Sequence, residues 1–470
     1  MDEICFMDAV DMATAVRTRE LGVHELVSAH VESCLRFNPR VNAIVSPVFE
    51  RALAEAADAD KALARGESPG PLFGLPVAQK DSFLTRGIRT TFGSRAFSDN
   101  VPNQDSAVVA HQKAAGAICL GKTNMPELGA GSHTFNEIFG TTRNPYGTDV
   151  SAGGSSGGAA AALAAGFVAL ADGSDMGGSL RNPASFCNVV GLRPSIGRVP
   201  MVPNAYPFNT LTVGGPMGRS VADVALLLDV MARSDAADPL SLPPPDQGFA
   251  QIDDIDPRGV RVALSPTLGG LPMESAVTDA LREGVSHLQT MGCIIEEDEP
   301  DFSDADFAFE TLRALIFATN YGPLRAERGE LLKDTLRRNI DQGLALDGKT
   351  IAEAERARAR MFVRMQALLS RHEFLVAPVS QVLPFAVEQE FPSSVAGTPM
   401  PHYLGWMRSS YRITVTGHPS ISLPCSFTAE GLPVGIQIVG RFRQERALLA
   451  FARQFERANP AGRRRPVMSA

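Results

Sequence analysis

No basic excess, paired cysteine, histidine couple or long apolar run occurs in this 470-residue sequence. The net charge of −8 argues against a nucleic-acid binder, because such proteins present a basic face to phosphate. The one basic cluster, Arg463 to Arg465, has no interleaved aromatics and reads as a solvated terminus. Cysteines stand at 5, 34, 119, 187, 293 and 425 without a C-x-x-C pair, so a reduced, cytoplasmic setting is expected. The eight histidines show no H-x-x-x-H spacing, and neither a metal nor a cofactor is expected. The longest apolar run, Ala159 to Ala171, is interrupted by Gly166 and is too short to cross a bilayer. Membrane association is therefore not expected either.

What is present suits a large soluble enzyme. Hydrophobic residues make up 44% of the chain and charged residues 20%, enough to bury a substantial core. Leu26, Val27, His30, Val31, Cys34 and Leu35 share one helical face, in a helix expected to end before Pro39. A second amphipathic helix is predicted from Phe49 to Arg65, closed by Gly66. Buried strands are predicted at Leu75 to Ala78, Ala117 to Leu120 and Phe167 to Ala171, with helices near Ser106 to Ala115 and in the alanine run. Strand and helix alternate again from Val260 to Val439, which implies a sheet with helices on both faces. Leu240 to Gln251, with three consecutive prolines, reads as a surface linker between two halves. Charged helices from about Asp304 to Arg371 suggest a cap beside the sheet.

The chemistry concentrates between Ser151 and Ser195. Two glycine-flanked serine sites lie there, Gly153-Gly154-Ser155-Ser156-Gly157-Gly158 and Gly177-Gly178-Ser179. Glycines let backbone approach a ligand closely, and the first cluster opens into a helix whose N–H groups would face an anion or oxyanion. Neither cluster supplies the G-x-G-x-x-G of a dinucleotide site, and no G-K-[ST] follows to make a P-loop. Gly154 to Gly158 does satisfy G-x-S-x-G around Ser156, but the preceding Tyr146 to Ala152 is polar and turn-rich where a nucleophile elbow needs a strand. Glycines that merely permit tight helix–strand packing remain the bland alternative. Two clusters with Asp175, Arg181 and Pro183 among them make it the weaker one.

At these residues the sequence resembles the amidase signature family. The GGSSGG stretch, the alanine helix and Gly173-Ser174-Asp175-Met176-Gly177-Gly178-Ser179-Leu180-Arg181-Asn182-Pro183-Ala184 carry the likeness. Upstream, Gly74-Leu75-Pro76-Val77-Ala78-Gln79-Lys80-Asp81 matches the family's lysine motif, and Gly121 to Glu127 and Gly431 to Gln437 match further segments. Ala152, Met176 and Ser82 depart mildly from the pattern, and none removes a catalytic atom.

The resemblance implies a three-layer α/β/α sandwich around a large mixed β-sheet. It implies one unit over residues 1–470, a signature core at 70–230 and a helical cap or pocket region at 300–400. By position, Ser179 corresponds to the nucleophile, Ser155 to a bridging serine held through a cis peptide, and Lys80 to the base. A serine hydroxyl needs a base to become nucleophilic, and a lysine serves only when neutral, which its ordinary pKa of about 10.4 forbids at neutral pH. Burial of Lys80 at a strand end would lower that value. Backbone N–H groups of Met176, Gly177, Gly178 and Ser179 would receive the carbonyl oxygen. Asp175 and Arg181 would pair to hold the loop.

Candidates for an apolar acyl or aryl pocket are Met125, Gly129, Met176, Tyr206 and Phe208, with His402, Tyr403, Trp406 and Tyr411 near the region the family uses for walls. The expected reaction is hydrolysis of an amide, anilide or carbamate through an acyl-enzyme. The expected partners are that small-molecule substrate and, as an open assembly state, a homodimer, with no nucleic acid or membrane. Two alternatives stand beside it. One is the glutamine-hydrolysing subunit of a tRNA-dependent amidotransferase, from which Val199 to Thr212 departs. The other is an inactive binding module on the same fold.

Overall fold

Eleven strands form one mixed sheet in the computed structural model, which describes residues 3–67 and 70–468. In chain order they are β1 (Ile44–Pro47), β2 (Pro76–Lys80), β3 (Ile118–Thr123), β4 (Leu170–Asp175), β5 (Val190–Arg193) and β6 (Val213–Gly218). There follow β7 (Arg261–Leu264), β8 (Ile294–Glu297), β9 (Phe374–Pro378), β10 (Ser420–Phe427) and β11 (Pro433–Val439). Their order across the sheet is β1-β3-β2-β4-β6-β5-β10-β11-β9-β7-β8. β2 runs parallel to both β3 and β4, and β7 parallel to both β8 and β9, while antiparallel pairs join the rest. The Leu240 to Gln251 segment thus separates two halves of one sheet, which meet where Ser420, Ile421 and Ser422 of β10 pair with Arg193, Leu192 and Gly191 of β5.

Period-2 alternation assigns each strand residue to one of two apolar layers. In β9, Phe374 and Val376 join the layer under helices Val23–Val41, Val221–Met231 and Glu445–Ala458. Leu375 and Ala377 join the layer under helices Ala305–Arg328, Gly348–Leu369 and Arg408–Thr416. Helices therefore cover both faces, and the fold is the three-layer α/β/α sandwich expected. The helix Asp334–Leu344 packs on Ala305–Arg328 rather than on the sheet, Leu336 and Ile340 clustering with Phe317. No described helix is long and apolar enough to cross a membrane.

Three local expectations are corrected. The Val23–Val41 helix runs through Pro39, whose missing N–H costs one bond near a terminus that Asn42 closes in a left-handed conformation. Leu35, placed on the apolar face by spacing, is 64% exposed. The strand expected at Phe167 to Ala171 begins at Leu170 and continues through polar Asp172 to Asp175. An apolar-run criterion misses that half because both aspartates are buried with partners.

Candidate active site

Parallel pairing brings the ends of β2 and β4 together, and each ends in functional side chains. Lys80, the last residue of β2, is completely buried. Its Nζ lies 2.8 Å from Ser155 Oγ, 2.9 Å from Ser156 Oγ and 3.0 Å from Ser174 Oγ. No carboxylate forms an ion pair with it among the described residues. Burial lowers the Lys80 pKa to about 7, against the pull of Asp175 and Asp172 toward the charged form. Asp172 shifts the other way, up to about 6, because burial outweighs the bonds it accepts from the Lys80 N–H and the Gln112 amide.

Ser155 and Ser156 precede the helix Gly157–Ala164, and the Gly154–Ser155 peptide is cis. The N–H groups at this helix start do not face an anion, contrary to the expectation from the glycine cluster. Ser156 N–H donates to the Ser179 carbonyl at 3.2 Å, Gly157 N–H to Thr134 Oγ1 and Gly158 N–H to the Asn124 carbonyl. Close packing uses those donors up. The first of these bonds ties the two serine clusters together.

The second cluster is organised by Asp175. Its carboxylate receives Arg181 Nε at 3.1 Å and Nη2 at 3.0 Å, Arg193 Nη1 at 3.3 Å, and the N–H groups of Gly178 and Leu180. Burial would raise its pKa, but the two guanidinium groups hold it well below the usual carboxylate range. Gly178 adopts a φ of 113°, and a Cβ there would collide with the Ser410 side chain. Because Gly178 donates to Asp175, the N–H groups of Met176, Gly177 and Ser179 are the ones left without a protein partner among the described residues. Arg193, which closes this clasp, carries no functional signal in the sequence because it sits in an apolar run.

A cavity of about 380 Å³ opens onto these loops and is lined by Ser155, Ser174, Met176, Gly177 and Ser179. Met125 and Gly129 reach it, as does Leu128 between them. Tyr206, Phe208 and Trp406 do not line it. Phe208 is 64% exposed, Tyr206 packs partly buried against an apolar layer, and Trp406 is core, stacked on Phe186 and edge-on to Phe385. Tyr411 lies behind the wall, stacked on Phe309 at 4.1 Å. Much of the wall comes instead from the helix Ala305–Arg328, through Phe309, Arg313, Ile316, Phe317, Asn320 and Tyr321. These fall at helical spacing on one face, a signal present in the sequence but indistinguishable there from an ordinary core stripe. Tyr403, Leu404 and Met407 complete that side.

The amidase family model matches residues 25–449. An acylamidase of Rhodococcus erythropolis is 35% identical over 99% of this chain and 98% of its own length. A glutamyl-tRNA(Gln) amidotransferase subunit of Moorella thermoacetica is 34% identical, with 99% of both chains covered. Among solved structures, a bacterial aryl acylamidase of the amidase signature enzymes superposes with a TM-score of 0.91 at 29% identity, covering 98% of this chain and 97% of that one. The chain belongs to the amidase family, and is thus an enzyme acting on carbon–nitrogen bonds other than peptide bonds.

Proposed function

We propose that this amidase cleaves amides whose acyl or aryl portion is apolar beside the scissile bond, through an acyl-enzyme on Ser179. Ser155 relays protons and Lys80 is the base. The observation that carries this reading is the environment of Lys80: an amine buried among three hydroxyls, with no ion pair among the described residues and a pKa of about 7. A neutral amine has two N–H bonds and one lone pair. Ser156 already donates toward the Ser174 carbonyl, so its oxygen accepts from Lys80. Ser174 Oγ accepts the second N–H. Ser155 is then free to direct its proton at the lone pair.

In the first half-reaction Ser179 Oγ bonds to the substrate carbonyl carbon. Its proton passes to Ser155 as the Ser155 proton passes to Lys80. The oxyanion takes hydrogen bonds from the unspent N–H groups around Gly177, worth ~10²–10³ in turnover per donor. Lys80 and Ser155 return the proton to the leaving nitrogen as the C–N bond breaks, without which an amine is a poor leaving group. Water attacks the acyl-enzyme by the same relay, and Ser179 regains its proton as the acid departs. Met125, Leu128, Phe309 and Phe317 give the apolar surroundings that favour an aryl or alkyl substrate.

A fluorophosphonate probe should add one inhibitor mass to the wild-type chain and none to Ser179→Ala. Retention of the label in Ser179→Ala would overturn the assignment. The amidotransferase relative makes L-glutamine the rival substrate. Turnover of glutamine by the purified chain, with none of anilides, aryl carbamates or primary amides, would replace the substrate class proposed. A chain that neither labels nor hydrolyses any of these is a binding module.

A further inference from the structure

Among the described residues that line the cavity, one carries a charge. Arg313 is 4% exposed and lines the cavity, yet no described carboxylate forms an ion pair with it. Its Nη1 donates to Asn339 Oδ1 at 2.7 Å and its Nη2 to Tyr403 Oη, while its guanidinium lies over the Phe317 ring at 4.1 Å. Neutral partners and a ring face do not cancel a buried charge, and an uncompensated buried cation is costly.

The hydrogen-bond inventory has the same imbalance. A guanidinium carries five N–H donors, and the two bonds named leave three unspent. Tyr403 Oη already accepts from Arg313 and from Asn339 Nδ2, so its own O–H must donate elsewhere, and no described acceptor takes it. Tyr403 is 7% exposed and lines the same cavity. Lys333 stands nearby, its pKa lowered to about 8 by burial against the pull of Glu390 and Glu127 toward the charged form. Arg313 and Tyr403 thus offer unspent donors with no described acceptor where they line the substrate cavity.

We propose that Arg313 and Tyr403 form a carboxylate-binding subsite, so that the preferred substrates are amides whose apolar portion ends in a carboxylate. This rests on the amide-hydrolase reading above and names its substrate class. A guanidinium presents paired N–H groups that match a carboxylate's two oxygens. The position sets the reach. Phe309 touches the Gly177 loop, since a Cβ on Gly177 would meet its ring at 3.0 Å. Arg313 follows one helical turn later, ~6 Å along the axis. A carboxylate a few bonds beyond the scissile carbonyl spans that distance, as in monoamides of short dicarboxylic acids.

The test compares 4-nitroanilides of succinic, glutaric and adipic acid with their methyl esters and with butyryl 4-nitroanilide. For the wild-type chain, kcat/KM for the best acid should exceed that of its ester at least tenfold, chiefly through KM. In Arg313→Met the acid-to-ester ratio should fall to near unity, and Arg313→Lys should keep part of it. Calorimetric titration reads the subsite without catalysis: glutarate should bind the wild-type chain at least tenfold more tightly than butyrate and lose that advantage in Arg313→Met. A wild-type chain that is labelled at Ser179 and hydrolyses butyryl anilide, but is indifferent to the carboxylate in both assays, overturns this inference alone. A chain that binds glutarate preferentially yet neither labels nor hydrolyses upholds the subsite and overturns the hydrolase reading.

Discussion

Lys80 and Lys122 are both completely buried on adjacent parallel strands, and burial lowers the pKa of each. Their partners differ in kind. Lys122 Nζ donates to the Phe83 carbonyl at 2.5 Å and to Thr85 Oγ1 at 2.7 Å. The Thr85 hydroxyl spends its own proton on the same Phe83 carbonyl. Neither partner can give a proton to a lone pair, and Asp81 favours the charged form. Lys122 is therefore a clamp for the turn after β2. Lys80 is also pulled toward the charged form, by Asp175 and Asp172, but its hydrogen-bond partners are hydroxyls only, and it sits beside the cavity. In the relay proposed above, burial alone does not make a lysine a base; an exchangeable proton on its neighbour does.

Five measurements would break or sharpen this contrast and the reading of the site around it. Lys80→Met should lower kcat/KM ~10³-fold, the scale of losing a general base. Lys122→Met, if it folds, should stay within tenfold of wild type. Equal losses in both would dissolve the distinction. Next in size, Lys122→Met should cost ~2 kcal/mol in chemical unfolding, because the Phe83 carbonyl and Thr85 lose a buried donor.

The third is the pH profile. The neutral amine is the working form, so kcat/KM should rise about tenfold per pH unit and level off above the Lys80 pKa of about 7. The limb should persist in Lys122→Met; its movement there would reassign the titration. The sign for stability follows from the same shift. Between about 7 and the ordinary 10.5 the unfolded chain holds the Lys80 proton that the folded chain has released, so wild type should gain stability over Lys80→Met as pH rises through that window. The smallest effect is expected at Phe208→Ser, within ~0.5 kcal/mol and without change in KM, because the ring is exposed and away from the cavity.

Much of the inner site could be read from the sequence because its residues sit in short motifs. Lys80, Ser155 and Ser179 are each fixed by glycines and neighbours within a few positions. The sheet was legible for a similar reason, since runs such as Leu75 to Ala78 state burial locally. The wall was not. Phe309 and Arg313 lie far along the chain from Ser179, and an aromatic at helical spacing carries no mark of whether it faces a cavity or a core. Trp406 and Phe208 illustrate the two ways that guess fails, one ring sunk into packing and the other turned to solvent. The sequence offers Gly178 as a free donor, because its claimant, Asp175, acts through a turn geometry that composition does not express.

The clasp on Asp175 has a consequence for the order in which the molecule is made. Arg181, which grips that carboxylate, is itself held by the Ser410 carbonyl, Thr414 Oγ1 and Gln437 Oε1. The loop bearing Ser179 thus leans on residues from the last seventh of the chain, and β5 waits for β10 to fill its free edge. On a ribosome delivering ~5–20 residues per second, the Ser179 loop emerges well before the residues that fix its shape. Activity should therefore arrive late and all at once, and a nascent chain ending before β10 should carry Lys80, Ser155 and Ser179 and remain inert.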